Sequence, residues 1–329
     1  MPIYVVENRK IFPHFPELPP ELRMMVIDEM QPDDRCRFTG CSHLSWKEAR
    51  RSKKYIYGLE FLHTSKNLFG IKVVFNEGED GQQGFKLTIK EEFGTQYLIY
   101  SSIQYKYEFW RMEFNDSIDL RHITLEKFKN ILNLFQNTIK KLVIDDGDLE
   151  NYDFGVTSLR SLEILEIEDD EDITPWITKI RKPLKSFTNW EGSLKYFEQI
   201  IQVQNKIDTP FLRVNIQQLL QLSAPEINVN ILEFTENDIS NFINFWRNGK
   251  LKKSFESCIW HLWKNANVIP TFNVRELYRL LRIEYKDSEG EPTTINHNKD
   301  AGKMAEIWYE EFTEKSELKF VVISDEDQG

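Results

Sequence analysis

The chain has 329 residues, of which 40% are hydrophobic and 29% are charged. Its 23 Phe, 12 Tyr and 8 Trp supply enough large apolar side chains for a folded core, which excludes wholesale disorder. The net charge of −11 argues against nucleic acid as the main partner, because duplex binding requires a surplus of Lys and Arg. The length suits a small module followed by one sizeable domain.

The three cysteines are Cys36, Cys41 and Cys258, an odd number with wide spacing. They do not form the framework of a disulfide-rich protein and are typical of a reducing compartment. The sequence contains no apolar run of membrane-spanning length, and its start lacks the basic-then-apolar order of a signal peptide. We therefore expect a cytoplasmic or nuclear protein without a membrane partner.

Residues 12–55 carry the pattern of a small helical module. Pro19 and Pro20 suit the first turn of a helix, and apolar residues then recur at helical spacing until Pro32. A second short helix is predicted around Cys36, and a third around Trp46. Three short helices make a bundle with little core of its own, so such a module usually needs a partner.

Residues beyond 55 first show β-branched and aromatic runs typical of strands, with a hairpin loop predicted at Gly78–Gly81. From Leu125 to Ile259, helix-like and strand-like segments then alternate every 17 to 28 residues or so, which favours a leucine-rich-repeat-like stack. A non-repeating α/β sandwich is the alternative. In the remainder we expect a helix at Val274–Arg282, a polar loop at Asp287–Asp300, a further element at Met304–Glu311 and a strand at Leu318–Ile323.

The predicted fold class is α+β or α/β, with a three-helix bundle before an irregular, leucine-rich-repeat-like helix–strand domain. The predicted boundaries are an N-terminal extension at 1–11, the helical module at 12–55, the larger domain at 56–323 and an acidic tail at 324–329.

The helical module resembles the F-box family in an ordered set of residues near the N-terminus. These are Leu18-Pro19-Pro20-Glu21-Leu22, Val26-Ile27, Met30, Pro32-Asp33-Asp34-Arg35, Phe38, Cys41-Ser42 and Trp46. Arg35-Cys36-Arg37 departs from the family, in which aliphatic residues are commoner there. A second segment is similar to the F-box-associated domain of the expanded nematode F-box families, through Asp238-Ile239, Phe242, Phe245-Trp246, Gly249 and Leu251.

This resemblance implies a substrate-recognition subunit of a cullin–RING (SCF-type) ubiquitin ligase. The F-box would bind the small acidic adaptor and, through it, a cullin, while the remaining chain binds a protein substrate. Trp46 would serve internal packing of the F-box. The implied adaptor-binding residues are Pro16, Leu18, Pro19, Glu21, Leu22, Ile27 and Arg35.

A basic stretch lies within the same module. Seven basic residues and one acid, Glu48, fall between Arg35 and Lys54. Such a face would steer an acidic adaptor, although a solvated helix face is the alternative explanation.

We find no motif for catalysis, a metal or a cofactor. Cys258 and His261 form a lone pair without a second pair of ligands, and the sequence has no phosphate loop or dinucleotide fingerprint. We therefore expect neither enzyme activity nor a cofactor. Two rival hypotheses remain: a repeat-like protein-binding scaffold that never engages a ligase, and an enzyme with an unrecognised site.

Overall fold

The computed structural model describes most of the chain in separate stretches. The described residues are 15–30, 43–49, 56–65, 68–78, 81–92, 95–103, 108–114, 120–135, 138–145, 156, 158–167, 174–189, 197–210, 214–230, 234–263, 272–285, 291–300, 303–312 and 315–323. The middle predicted F-box helix and the acidic tail fall outside these stretches.

The described residues contain fourteen strands, eight α-helices and one turn of 3-10 helix at Phe15–Glu17. The helices are α1 (Pro20–Glu29), α2 (His43–Ala49), α3 (Leu120–Phe135), α4 (Thr174–Ile177), α5 (Phe197–Ile200), α6 (Ile216–Leu219), α7 (Glu236–Arg247) and α8 (Val274–Leu281). The strands are β1 (Gly58–Ser65), β2 (Leu68–Gly78), β3 (Gly81–Glu92), β4 (Thr95–Ser102), β5 (Glu108–Phe114), β6 (Lys141–Asp145), β7 (Ile164–Ile167), β8 (Ser186–Asn189), β9 (Lys206–Thr209), β10 (Glu226–Asn230), β11 (Ser257–Trp263), β12 (Thr293–Asn296), β13 (Met304–Glu311) and β14 (Lys315–Ile323).

The chain divides into two compact units. Unit 1 comprises residues 1–59, 65–139 and 154–156, and unit 2 comprises residues 60–64, 140–153 and 157–329. The predicted F-box segment therefore shares a unit with the strands that follow it. Among the described residues, no helix is both long and apolar enough to cross a membrane.

Unit 1 contains an antiparallel meander of β2, β3, β4 and β5. Gly78 at the end of β2 pairs with Gly81 at the start of β3, so the predicted hairpin is confirmed. Helix α3 packs on β2 and β3 and buries Phe128 and Leu132 completely. The aromatic runs of this region thus become strands because alternate side chains can be buried on one face of the meander.

Unit 2 contains a mixed sheet. Its strands lie in the order β12-β13-β14-β11-β10-β9-β8-β7-β6, followed by β1, whose residues 60–64 belong to this unit. Strands β6 to β11 are parallel neighbours in chain order. Strands β14, β13 and β12 extend the sheet beyond β11 in antiparallel pairs.

One row of apolar side chains crosses this sheet in register. Each member pairs with the next across neighbouring strands, and each is at most 2% exposed. The row consists of Leu142, Leu165, Phe187, Ile207, Ile227, Cys258, Phe320 and Ile307. It marks the face of the sheet that belongs to the core.

Helix α7 covers the C-terminal part of that face. Thr235 and Asp238 form a reciprocal capping box at its start, and Gly249 follows its end with a positive φ of 62°, the conformation that favours glycine after a helix. Trp246 packs edge-on against Phe320, with ring centroids 5.2 Å apart. The residues that resemble an F-box-associated domain are therefore those that cap and bury this helix.

The predicted fold class is wrong. The structure has a large mixed sheet with few helices rather than a three-helix bundle followed by a helix–strand repeat domain. Helices α4, α5 and α6 have only four residues each and form no continuous layer. The predicted polar loop at Asp287–Asp300 contains β12, and Met304–Glu311 is strand β13.

We predict that Gly84→Ala destabilises unit 1. A Cβ at position 84 would lie 1.9 Å from the carbonyl oxygen of Val73, so the β2–β3 backbone would have to shift. We expect a loss of about 2–3 kcal/mol, measured as faster hydrogen exchange of the β2 and β3 amides. Gly249→Ala is the control, because it costs about 1 kcal/mol through its positive φ and acts on unit 2. Equal exchange in wild type and Gly84→Ala would refute the prediction.

Candidate functional site

Helix α1 follows a proline-rich turn that places apolar side chains at the N-terminus of the helix. The backbone N–H of Leu18 donates to Phe15 at 3.2 Å, and Phe15 is buried, which anchors the turn. Pro20 occupies the start of the helix, where its missing N–H costs no hydrogen bond. The helix ends at Glu29, and the cap residue Met30 leaves the helical region with φ −58° and ψ 137°.

Arg23 connects three parts of this region. One of its terminal nitrogens donates to the carbonyl oxygens of Pro16 at 3.1 Å and Leu18 at 2.9 Å. Its Nε lies 2.7 Å from a carboxylate oxygen of Glu48 in α2, and the two side chains are 16% and 6% exposed. The Nε–H is not aligned for a hydrogen bond, so this contact is a nearly buried ion pair. Arg23 therefore fixes the turn, α1 and α2 with respect to each other.

This arrangement determines which face of α1 meets solvent. Arg23 and Ile27 are four positions apart on one face, and Ile27 is fully buried. Leu22 and Met25 are three positions apart on another face and are 45% and 63% exposed. Only three large hydrophobic side chains are exposed among the described residues, and these are two of them. Two exposed apolar side chains on one helix make this face a candidate interaction surface.

Most of the implied adaptor-binding residues are at least partly exposed. Pro16, Pro19, Glu21 and Leu22 are exposed, and Leu18 is half-buried beside them. We call Leu18, Pro19, Leu22 and Met25 the α1 patch. The sequence analysis does not include Met25 among the adaptor-binding residues, although its spacing of three from Leu22 places it on the same face of a helix.

Of the remaining implied F-box residues, one is buried and two have side chains outside the described residues. Ile27 is 0% exposed, so its side chain packs inside unit 1 and we remove it from the docking surface. Arg35 lies outside the described residues, as does the side chain of Trp46, although its backbone belongs to α2. To predict that Ile27 is buried, one must know where α2 packs, and helical spacing alone does not supply that information.

The exposed rim of α1 is acidic. Glu17, Glu21, Asp28 and Glu29 are all exposed. Of the seven basic residues between positions 35 and 54, only Lys47 belongs to the described residues, and it is exposed as well. Attraction between the α1 patch and a partner therefore rests on apolar burial. Any steering by positive charge must come from the other basic residues between positions 35 and 54, which lie outside the described stretches.

A second cluster of charged groups lies on the sheet of unit 2. His261 in β11 pairs with Glu317 in β14, with Nδ1 and Oε1 3.3 Å apart and both side chains nearly buried. Lys319 approaches Glu317 at 3.2 Å and Glu310 at 2.6 Å. Burial lowers the pKa of His261, which favours the neutral ring. Burial also opposes ionisation of Glu317, but hydrogen bonds from Lys315 and Lys319 outweigh it, so its pKa is lowered.

This cluster has the features of a structural ion network. Its lysines form salt bridges with its carboxylates. Cys258 and His261 are three positions apart in β11 and so point to opposite faces of the strand, which rules out the lone-pair metal site considered from sequence. Burial raises the pKa of the Cys258 thiol, so it is a poor nucleophile. No group of three possible metal ligands occurs among the described residues.

Comparison with known proteins adds no identification. No protein-family model, curated protein or solved structure matches the chain.

We predict that Glu48→Ala loosens α1, because it leaves Arg23 charged, nearly buried and without its ion-pair partner. A loss of about 3 kcal/mol is expected, within the usual cost of breaking a buried pair. Faster hydrogen exchange of the α1 amides measures it, and Lys47→Ala, an exposed neighbour in the same helix, should leave exchange unchanged. If both variants exchange alike, Arg23 does not hold α1 in place.

We predict a pH-dependent cost for Glu317→Gln. The lowered pKa means that the ionised carboxylate stabilises the fold above the ordinary pKa of a glutamate, and that this contribution disappears as pH falls through the lowered pKa. Glu317→Gln should therefore lose about 1–3 kcal/mol at pH 7 and progressively less as pH falls to about 3. Urea unfolding at several pH values measures the difference. The exposed Glu226→Gln is the control, and a pH-independent cost at position 317 would contradict the assignment.

Proposed function

We propose that the chain is a non-catalytic substrate receptor of a cullin–RING ubiquitin ligase, with the α1 patch as its contact to the ligase adaptor. The observation that carries the proposal is the exposure of Leu22 and Met25 on a helix that begins with the Leu-Pro-Pro-Glu-Leu sequence. The resemblance of residues 15–55 to the F-box family supplies the class of partner.

The geometry of α1 suits docking. Interfaces gain most of their affinity from a few apolar anchors that lose contact with water on binding, and Leu22 and Met25 have that surface to lose. The ion pair and two carbonyl contacts of Arg23 hold the helix in place beforehand, so less conformational entropy is lost when a partner binds.

The proposal assigns different tasks to different parts of the chain. The ligase supplies the transfer chemistry, so the receptor needs no nucleophile, metal or cofactor of its own. Unit 2 would select the substrate, and the protein would act in the cytosol or nucleus, where cullin–RING ligases operate.

We predict that Leu22→Asp and Met25→Asp each weaken binding to the purified adaptor of an SCF-type ligase by about 30-fold, the loss typical of an interface anchor. A buried carboxylate without a partner would oppose docking. Phe312→Asp is a matched control, because Phe312 is 44% exposed, close to the 45% of Leu22, and lies in unit 2. Calorimetry or surface plasmon resonance would measure the three affinities.

Two outcomes would reject the proposal. If the wild-type chain does not bind the adaptor, the protein is not a receptor of this ligase class, and a scaffold that works without the ligase becomes the better hypothesis. If Phe312→Asp weakens binding as much as Leu22→Asp, the α1 patch is not the contact. Circular dichroism of each variant verifies that the fold is retained.

A further inference from the structure

Unit 2 contains a cavity of about 240 Å³ at the amino-terminal end of β8. Its floor is apolar and belongs to the core: Phe187 comes from the buried row of the sheet, Ile177 from α4 and Ile200 from α5, and each is at most 2% exposed. Leu184 and Val203 complete this floor. The cavity is therefore held in shape by residues that the fold itself requires.

The rim of the cavity is basic. Arg181 and Lys182 line it together with Pro183 and Gln202, and all four are exposed. Neither Arg181 nor Lys182 makes a salt bridge to a described residue. The segment 179–185 contains four basic residues and no acid in a protein of net charge −11, so its charge is opposite to that of the whole.

Further cations lie beside this rim. Lys185 pairs with Glu163 at 2.8 Å, and Lys140 and Lys182 are close enough to add to the electrostatic field on the same carboxylate. The bond from Lys185, reinforced by those two lysines, holds the pKa of Glu163 below its usual range. Three lysines thus share one acidic partner, which leaves a local positive excess next to the opening.

Size and charge together restrict the occupant. Pockets for cofactors and drug-sized ligands span roughly 300–1,000 Å³, so about 240 Å³ suits a single side chain rather than a cofactor. The apolar floor favours an aliphatic side chain, and the exposed cations Arg181 and Lys182 favour carboxylates on either side of it. A bare inorganic anion would leave the floor unfilled, and an apolar ligand alone would leave the rim unpaired.

We propose that this cavity is a peptide-binding site that takes a leucine side chain flanked by Asp or Glu in an extended acidic segment of another protein. The inference about binding stands without the adaptor contact. The further claim that this acidic segment belongs to a substrate of the ligase rests on the proposed function.

The test uses fluorescence polarisation of the full chain with labelled peptides. Asp-Glu-Leu-Asp-Glu should bind about tenfold more tightly than Asp-Glu-Ala-Asp-Glu, because the cavity buries the additional carbons of leucine. It should also bind about tenfold more tightly than Ser-Gly-Leu-Gly-Ser, which lacks the charges. The comparison needs no variant, so it remains informative even if a substitution disturbs folding.

Charge reversal locates the site. Arg181→Glu with Lys182→Glu should weaken binding of the leucine peptide by at least about tenfold. The control is Lys253→Glu with Lys299→Glu, which makes the same change in net charge at two other exposed positions of unit 2 and should alter affinity by less than about twofold.

Three results would overturn the inference: no binding of the leucine peptide, equal binding of the leucine and alanine peptides, or equal loss in both charge-reversed variants. The assay contains no adaptor, so its failure is distinguishable from failure of the proposed ligase contact. A chain that binds the adaptor but not the peptide would retain its proposed class and lose only this site.

Discussion

A row of apolar side chains in register is the constraint on which unit 2 depends. Because side chains alternate along a strand, a slip of one residue in any strand would turn its member of the row towards solvent. Leu142, Leu165 and Phe187 hold three parallel strands to one register, and Phe320 carries the row into the antiparallel part. Lys141 and Glu166 are next in sequence to Leu142 and Leu165, so their salt bridge of 3.0 Å lies on the opposite face of the sheet.

The placement of α1 within unit 1 depends on one charged side chain. Arg23 is confined by two carbonyl oxygens and by Glu48, so the helix that carries it cannot rotate without leaving a nearly buried charge unpaired. The cost of about 3 kcal/mol for such an unpaired charge exceeds the gain from burying the rest of Leu22 or Met25, because a whole side chain gains about 1.5–3 kcal/mol and these two are already partly buried. Apolar residues therefore stay on the solvent side of α1, where they are available to a partner.

The sequence indicated local structure better than architecture. Helix α8 and the β2–β3 hairpin follow from short-range signals: apolar residues at helical spacing and paired glycines. The fold class did not follow, because helix–strand alternation says nothing about antiparallel strands added beyond β11. The patch on α1 was partly predictable from Leu22, but the burial of Ile27 depends on packing in three dimensions. The cavity was not predictable, since its floor comes from three segments that meet only in the folded unit.

Net charge is a poor guide to the two surfaces for which binding is proposed. The total of −11 does not reveal a basic rim around a cavity in unit 2, and it does not reveal that the rim of α1 is acidic. An acidic peptide would be attracted to Arg181 and Lys182 and repelled by the rim of α1, so charge would separate the two proposed binding events. The same rim would work against the acidic adaptor of the proposed ligase. Apolar burial at Leu22 and Met25 would have to overcome that repulsion, with any compensating attraction supplied by the basic residues between positions 35 and 54.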